Sequence, residues 1–321
     1  MKANKKHSYS ILAIGSLNMD LVLQLPRMPL IGESMVGSRY FRIPGGKGAN
    51  QAVALTRLGA KVTFAGKVGN DADGETLVEN LKRNGIVTDF VSKADGRSTG
   101  LAVIMLDPNK HNSIAVFPGA NGELTVDEVE GAFVRDQFDA LILQLEIPDD
   151  VIIAACRFAE RAGILTFLDA GPARPFPLEE LGRIDILSPN ETEVLALTGI
   201  EIKSLADAEL AAETLIRRAN ATAVVLKLGS SGALLQTRQG ACKHFPAFKA
   251  DVIDPTAAGD AFTAALAIHY LETGDFEESV LYANLAGALA TTRLGAEPSL
   301  PTAREVELFR QQMPMALEIH V

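Results

Sequence analysis

The chain has 321 residues, is 47% hydrophobic and 22% charged, and carries a net charge of −10 with no run of lysine or arginine. That balance excludes a disordered chain and argues against nucleic acid as a partner, since no basic face would neutralise phosphates. Two cysteines far apart, Cys156 and Cys242, form no disulfide framework and fit a reducing cytosol; both lie in apolar patterns that read as buried.

At the N-terminus, Lys2, Lys5 and Lys6 precede a short apolar run and faintly mimic a signal peptide. The run is too short, Asn18 and Asp20 follow at once, and no small-residue cleavage site is clear, so it reads as a first buried strand. No run elsewhere is long enough to span a bilayer, which predicts a cytoplasmic protein without a membrane partner. Residues 11–14, 62–68, 140–145, 164–168, 186–187 and 223–228 read as buried strands. Residues 50–58, 72–83, 150–161, 191–197 and 206–217 read as the helices between them. Near-continuous apolar strands alternating with helices predict a mostly parallel, doubly wound α/β sheet with helices on both faces. Two insertions break the pattern. Residues 21–25 with 35–43, and 100–106 with 112–117 across the turn Asp107-Pro108-Asn109, read as strand pairs that together make a small β-sheet lid. From residue 257 the chain reads as mostly helical, through 271, then 277–292 and 304–313. The five histidines (His7, His111, His244, His269, His320) show no zinc-site spacing.

The polar motifs fall at strand ends and helix starts. Asn18 and Asp20 share one side of an extended segment, where an amide and a carboxylate suit vicinal sugar hydroxyls, or form a solvated strand end. Gly45-Gly46-Lys47-Gly48-Ala49-Asn50 opens a helix, lets a ligand approach the backbone, and is not a P-loop. Glu146 follows a strand, where ligands bind in open α/β sheets or a salt bridge forms. Asn190 and Glu193 read as a capping box, or as groups orienting water around a magnesium ion. Lys227-Leu228-Gly229-Ser230-Ser231-Gly232 reads as a hairpin turn or a phosphate-proximal loop. The strongest segment is 254–262. Small residues there leave open the amides of a helix start, an anion site, with Asp260 in its first turn as a base for an attacking alcohol. A helix start is expected to lower the pKa of Asp260, giving a weak, ionised base.

Taken together and in order, these six segments resemble the ribokinase branch of the PfkB sugar kinases, from about Ile11 to Pro301. The resemblance implies a single three-layer α/β domain over 1–321 with lid insertions at 21–44 and 99–117. It implies ATP-dependent phosphorylation of the primary 5-hydroxyl of D-ribose, or, within the family, of deoxyribose, another ketose or aldose, or a nucleoside. Asp260 would be the base, with Ala258, Gly259 and Asp260 supplying anion-hole amides. Asn18, Asp20, Gly46, Lys47, Asn50, Ala102, Glu146 and Asp260 would line the sugar. Asn190, Lys227, Gly229, Gly232, Gly259 and Asn284 would lie along ATP, and Glu193 would act on Mg2+ through water. A K+ loop would use Asp254 and Ser299 with carbonyls of Thr256, Ala290, Arg293 and Gly295. Two residues depart from the pattern: Pro255 and Lys227 each stand where threonine is usual or frequent. Lid strands that are apolar on both faces predict a homodimer through the lids. A non-catalytic sugar sensor should lack Asp260, Gly259 or Glu193, and all are present. A dinucleotide oxidoreductase needs a glycine fingerprint that Gly15-Ser16-Leu17-Asn18-Met19-Asp20 does not provide.

Overall fold

The computed structural model describes residues 8–108 and 111–312. Lys2, Lys5, Lys6, His7, Asn109, Met313 and His320, all part of the sequence reading, lie outside those residues.

Apolar β1 (Ser10–Ile14) leads through a short connection into β2 (Asn18–Gln24) and β3 (Arg39–Gly45), then α1 (Lys47–Arg57). β4 (Lys61–Gly69) and α2 (Ala72–Arg83) follow; the Asp71 carboxylate caps α2 by accepting from Gly74 N at 2.8 Å. β5 (Val87–Ala94) precedes the hairpin β6 (Gly100–Leu106) and β7 (Asn112–Phe117). α3 (Val126–Arg135) starts on a Thr125/Glu128 capping box. β8 (Ala140–Gln144), α4 (Asp149–Ala162), β9 (Leu165–Asp169), β10 (Ile184–Ser188), α5 (Glu191–Thr198), α6 (Leu205–Arg218) and β11 (Ala221–Lys227) complete the alternating part. The hairpin β12 (Ala233–Thr237) and β13 (Cys242–Phe245) then leads to α7 (Ala258–Thr273), α8 (Phe276–Ala290), α9 (Ala296–Ser299) and α10 (Ala303–Gln312).

Nine strands form one sheet in the order β13-β12-β11-β10-β9-β8-β1-β4-β5, parallel except for the β12 and β13 edge. Period-two alternation divides its side chains between two cores. Ile11 and Ala13 face α1, α2, α7 and α8, whereas Leu12 and Ile14 face α3 to α6. Helices on both faces of a mostly parallel sheet make the expected three-layer architecture. α7 and α8 present Ala261, Ala264, Ala265, Ala283 and Ala286, all fully buried, so these two helices approach closely.

A second sheet of four strands runs β3-β2-β6-β7. Its outer pairs are antiparallel, as the two predicted strand pairs require, but β2 and β6 are parallel, with Asp20 opposite Ala102. Helix ends fall within about three residues of expectation, the ordinary uncertainty of frayed termini. β5, β13 and α3 were not foreseen. β5 lies at the sheet edge with Val87, Asp89 and Lys93 exposed and holds no continuous apolar run, which weakens its signal. Cys156 is buried as expected, but Cys242 is exposed: it opens the edge strand β13. Among the described residues, no helix is long and apolar enough to cross a membrane.

Candidate active site

The polar motifs converge where the parallel strands β1, β8, β9, β10 and β11 end and the helices α1 and α7 begin. α1 docks on the β1–β2 connection through Ala49 N to Ser16 O at 3.0 Å. The contact demands glycine: a Cβ on Gly48 would stand 2.6 Å from Ser16 N, and Gly46 holds a φ of +92° as the N-cap. Buried Asn121 fixes the start of β2. Its amide accepts from Leu17 N at 2.9 Å and donates to Leu17 O at 3.0 Å and to Asn18 Oδ1 at 2.8 Å. With its oxygen engaged, Asn18 offers a basin its amide donor.

Three carboxylates face this basin beneath the small sheet. Asp20 lies on β2 opposite buried Ala102. Glu146, just past β8, accepts a short bond from Ser16 Oγ and another from Lys47 N at 3.1 Å. Asp260, in the first turn of α7, accepts from Asn50 Nδ2 at 3.0 Å and Gln51 Nε2 at 3.1 Å. Burial, then Glu146 and Asp260, push the Asp20 carboxyl up to about 7. Burial also raises the pKa of Glu146, against the opposing pull of Lys47. Asp260 corrects the sequence expectation. Its pKa is raised, because burial outweighs the stabilising Lys47 charge and the Asn50 and Gln51 amides. The carboxylate is therefore a stronger base than a solvated helix-start aspartate.

Asp169, which ends β9 and is fully buried, was missed by sequence reasoning. Its Oδ1 accepts from Lys227 Nζ at 2.6 Å; its Oδ2 accepts from Lys47 Nζ at 3.1 Å and Gln51 Nε2 at 2.8 Å. Burial alone would raise this carboxyl, but Lys227 and Lys47 overturn that and hold it at about 2. Lys47 Nζ lies 3.7 Å from Asp260 Oδ1. Burial alone would depress the Lys47 ammonium, but Asp169, Asp260, Glu193 and Glu146 carry its pKa well above the usual value. The signal available in sequence was Asp169's place at the carboxyl end of a predicted strand.

Beyond the basin, a 550 Å³ groove is lined by Lys227, Gly229, Gly232, Ala258, Gly259 and Asn284, among others. The Lys227–Gly232 segment makes the hairpin turn into antiparallel β12, as one of its two readings has it, and also lines one wall of this groove. A 420 Å³ cavity joins groove to basin, touching Asn190, Lys47, Lys227, Gly259 and Asp260. Ala257 caps α7 with a φ of +60°, left-handed backbone that costs a non-glycine residue about 1 kcal/mol, so the turn into α7 is mildly strained. Asn284 Nδ2 turns toward Phe245 O at 3.4 Å.

Asn190 and Glu193 form the capping box: Asn190 Oδ1 accepts from Glu193 N at 2.9 Å and Glu193 Oε2 from Asn190 N at 2.7 Å. The Glu193 carboxylate is thus bound back to the helix start, with its pKa raised by burial. Among the described residues, no group of three or more His, Cys, Asp or Glu could hold a metal ion. The predicted cation-loop residues do come together. Asp254 accepts from Thr256 N at 2.9 Å and Gly295 N at 2.8 Å, Ser299 Oγ donates to Thr256 O at 3.5 Å and to Ala296 O at 2.7 Å, and Ala290 O accepts from Arg293 N at 3.4 Å. The Arg293 guanidinium pairs with Glu305, which leaves only its carbonyl for the loop. Carbonyls with one carboxylate and a hydroxyl suit a large monovalent ion.

Residues 9–303 match the pfkB family carbohydrate kinases. The chain is 36% identical to a ribokinase of Haemophilus influenzae over 94% of this chain and 98% of that one. It is 33% identical to a deoxyribokinase of Salmonella typhimurium over 95% and 99%. Its fold superposes on that of Arabidopsis thaliana ribokinase complexed with ribose and ATP, with a TM-score of 0.85, 33% identity, and coverage of 94% and 99%.

Proposed function

The chain belongs to the pfkB family of carbohydrate kinases, and on that premise we propose that it transfers the γ-phosphate of ATP to the 5-hydroxyl of D-ribose. One observation carries the reading: a buried, basic Asp260 stands between a carboxylate-lined basin and a glycine-walled groove, at an open helix start. The sugar would lie under the lid against Asn18, Asp20, Gly46, Ala102 and Glu146, with its primary hydroxyl directed at Asp260. ATP would lie in the groove, its terminal phosphate at the amides of Ala258, Gly259 and Asp260. As the hydroxyl oxygen bonds to the γ-phosphorus, the bond to the bridging oxygen breaks, ADP leaves with that electron pair, and the proton passes to Asp260. Positioning and charge stabilisation supply most of the rate.

A magnesium ion bound with ATP would neutralise phosphate charge. Glu193 and Asn190 would hold its waters, and Asp254, Thr256, Ala290, Arg293, Gly295 and Ser299 would hold a potassium ion that fixes the anion-hole turn. The apolar side chains that the lid strand β7 leaves at least half exposed, Ile114 and Val116 on one face and Phe117 on the other, support a homodimer through the lids; a monomer by light scattering at micromolar concentration would refute it. Two unpaired cysteines support a cytoplasmic site of action.

Deoxyribose is the second reading, favoured by the deoxyribokinase relative. The test is ADP release from Mg-ATP with ribose, 2-deoxyribose, fructose, adenosine or no sugar, each with and without potassium. Ribose-dependent turnover, raised by potassium and well above that with deoxyribose, is expected, because a site built for a hydroxyl leaves polar groups unpaired when it is missing. Greater turnover with another sugar would discard ribose.

A further inference from the structure

Two ammonium groups converge on one carboxylate at the point where a phosphoryl group must move. Asp169 is wholly buried and holds Lys227 Nζ at 2.6 Å on one oxygen and Lys47 Nζ at 3.1 Å on the other. Lys47 Nζ is 3.7 Å from Asp260 Oδ1, and Lys227 Nζ is 3.9 Å from where a Cβ on Gly259 would stand. One cation therefore adjoins the base and the other adjoins the anion-hole amides. Lys227 also faces both the groove and the cavity that leads to the base. When Asp260 takes the hydroxyl proton, the negative charge 3.7 Å from Lys47 Nζ is neutralised, and the field on the phosphoryl group in flight and the oxygen it leaves becomes more positive by one charge.

We propose that Lys227 is a catalytic residue that closes on the γ-phosphoryl group, and that Asp169 is a positioning residue holding Lys47 and Lys227 on either side of the reaction axis. The proposal rests on the kinase reading above. The forming bond is hydroxyl oxygen to γ-phosphorus, the breaking bond is γ-phosphorus to bridging oxygen, whose electron pair leaves with ADP, and the hydroxyl proton goes to Asp260.

The test compares wild type, Lys227→Met, Asp169→Asn and the double variant. Turnover and sugar KM come from ADP release, fold from thermal melting, and binding of ADP and of a non-hydrolysable ATP analogue from calorimetry. Lys227→Met is expected to lower kcat about 100-fold, as loss of one preorganised donor does, with sugar KM changed less than about threefold. It should weaken the triphosphate analogue about tenfold and ADP by less than about threefold. Asp169→Asn should lower kcat about tenfold, with partial rescue by Asp169→Glu. The double variant, in which both members of the pair lose their charge, should melt near wild type and stay slow. Recovery of kcat by the double variant would overturn the proposal, since a merely structural ion pair is restored when both charges go. Equal weakening of ADP and the triphosphate analogue by Lys227→Met would also overturn it, and this readout needs no second substitution. Failure of the kinase reading would look different: wild type would release no ADP with any sugar, and the proposal would fall with it.

Discussion

Asp20→Asn should make the ligand-free protein more stable above neutral pH while weakening its hold on sugar. The Asp20 carboxyl rises from 3.8 to about 7, by burial first and then by Glu146 and Asp260. The fold therefore binds that proton more tightly than the unfolded chain does. The stability this contributes is fully present below about pH 4 and is lost as pH climbs through about 7. A shift of about 3 units at 1.36 kcal/mol each sets an upper limit of about 4 kcal/mol. The side chain keeps some contact with water, so about 2 kcal/mol is the working figure. Asparagine matches the shape without the charge. Thermal melts of both proteins without sugar, from pH 5 to 8.5, should show the variant's advantage growing with pH to about 4 °C. The same substitution should raise the sugar KM about tenfold or more, because an ionised Asp20 accepts from sugar hydroxyls and an amide does so less strongly. A variant less stable than wild type at pH 8, or a difference that is flat across the range, would refute the desolvation argument.

Asp260→Asn should lose turnover by about two or more orders of magnitude while a non-hydrolysable ATP analogue still binds; near wild-type kcat would remove Asp260 as the base. Because the Asp260 pKa is raised, kcat at saturating sugar should fall as pH drops toward an apparent pKa above that of an ordinary aspartate, and a fall centred no higher than an ordinary aspartate would contradict the burial effect. Asp254→Ala should abolish any response of kcat to potassium, read by titrating the salt at constant ionic strength, while leaving sugar KM within about threefold. In the core, Phe167 is 1% exposed and meets the Tyr270 ring edge-on at 6.2 Å. Phe167→Ala should cost about 3–5 kcal/mol in urea unfolding, with an unchanged m-value.

The central strands were legible because a strand buried on both faces carries an apolar run through most of its length, as in β1, β8 and β11. The helix starts at Lys47, Glu191 and Ala258 were legible from local glycine and capping chemistry. Edge strands escaped because one solvated face dilutes the pattern, as in β5. Asp169 escaped for another reason. One aspartate after an apolar strand reads as the start of a turn, and its meaning appears only when Lys47 and Lys227, 122 and 58 residues away in the chain, are folded onto it. Gln51 and Asn121 were hidden likewise, since a buried amide is told from a surface one only by what surrounds it. The Asp260 pKa was misjudged because the helix-start field is local and readable, whereas desolvation is set by the whole fold.

The bond from Asn50 to Asp260 joins residues 210 positions apart, and β1 lies between β4 and β8, with five further strands beyond β8. During synthesis, Asn18, Asp20 and Lys47 leave the ribosome long before α7 exists to complete the basin. A nascent chain or a truncated product ending ahead of Ala258 lacks Asp260, the open amides of the α7 start and the helix against which α1 packs. Such fragments would be catalytically silent instead of weakly active, so turnover would report only on chains that extend through α7.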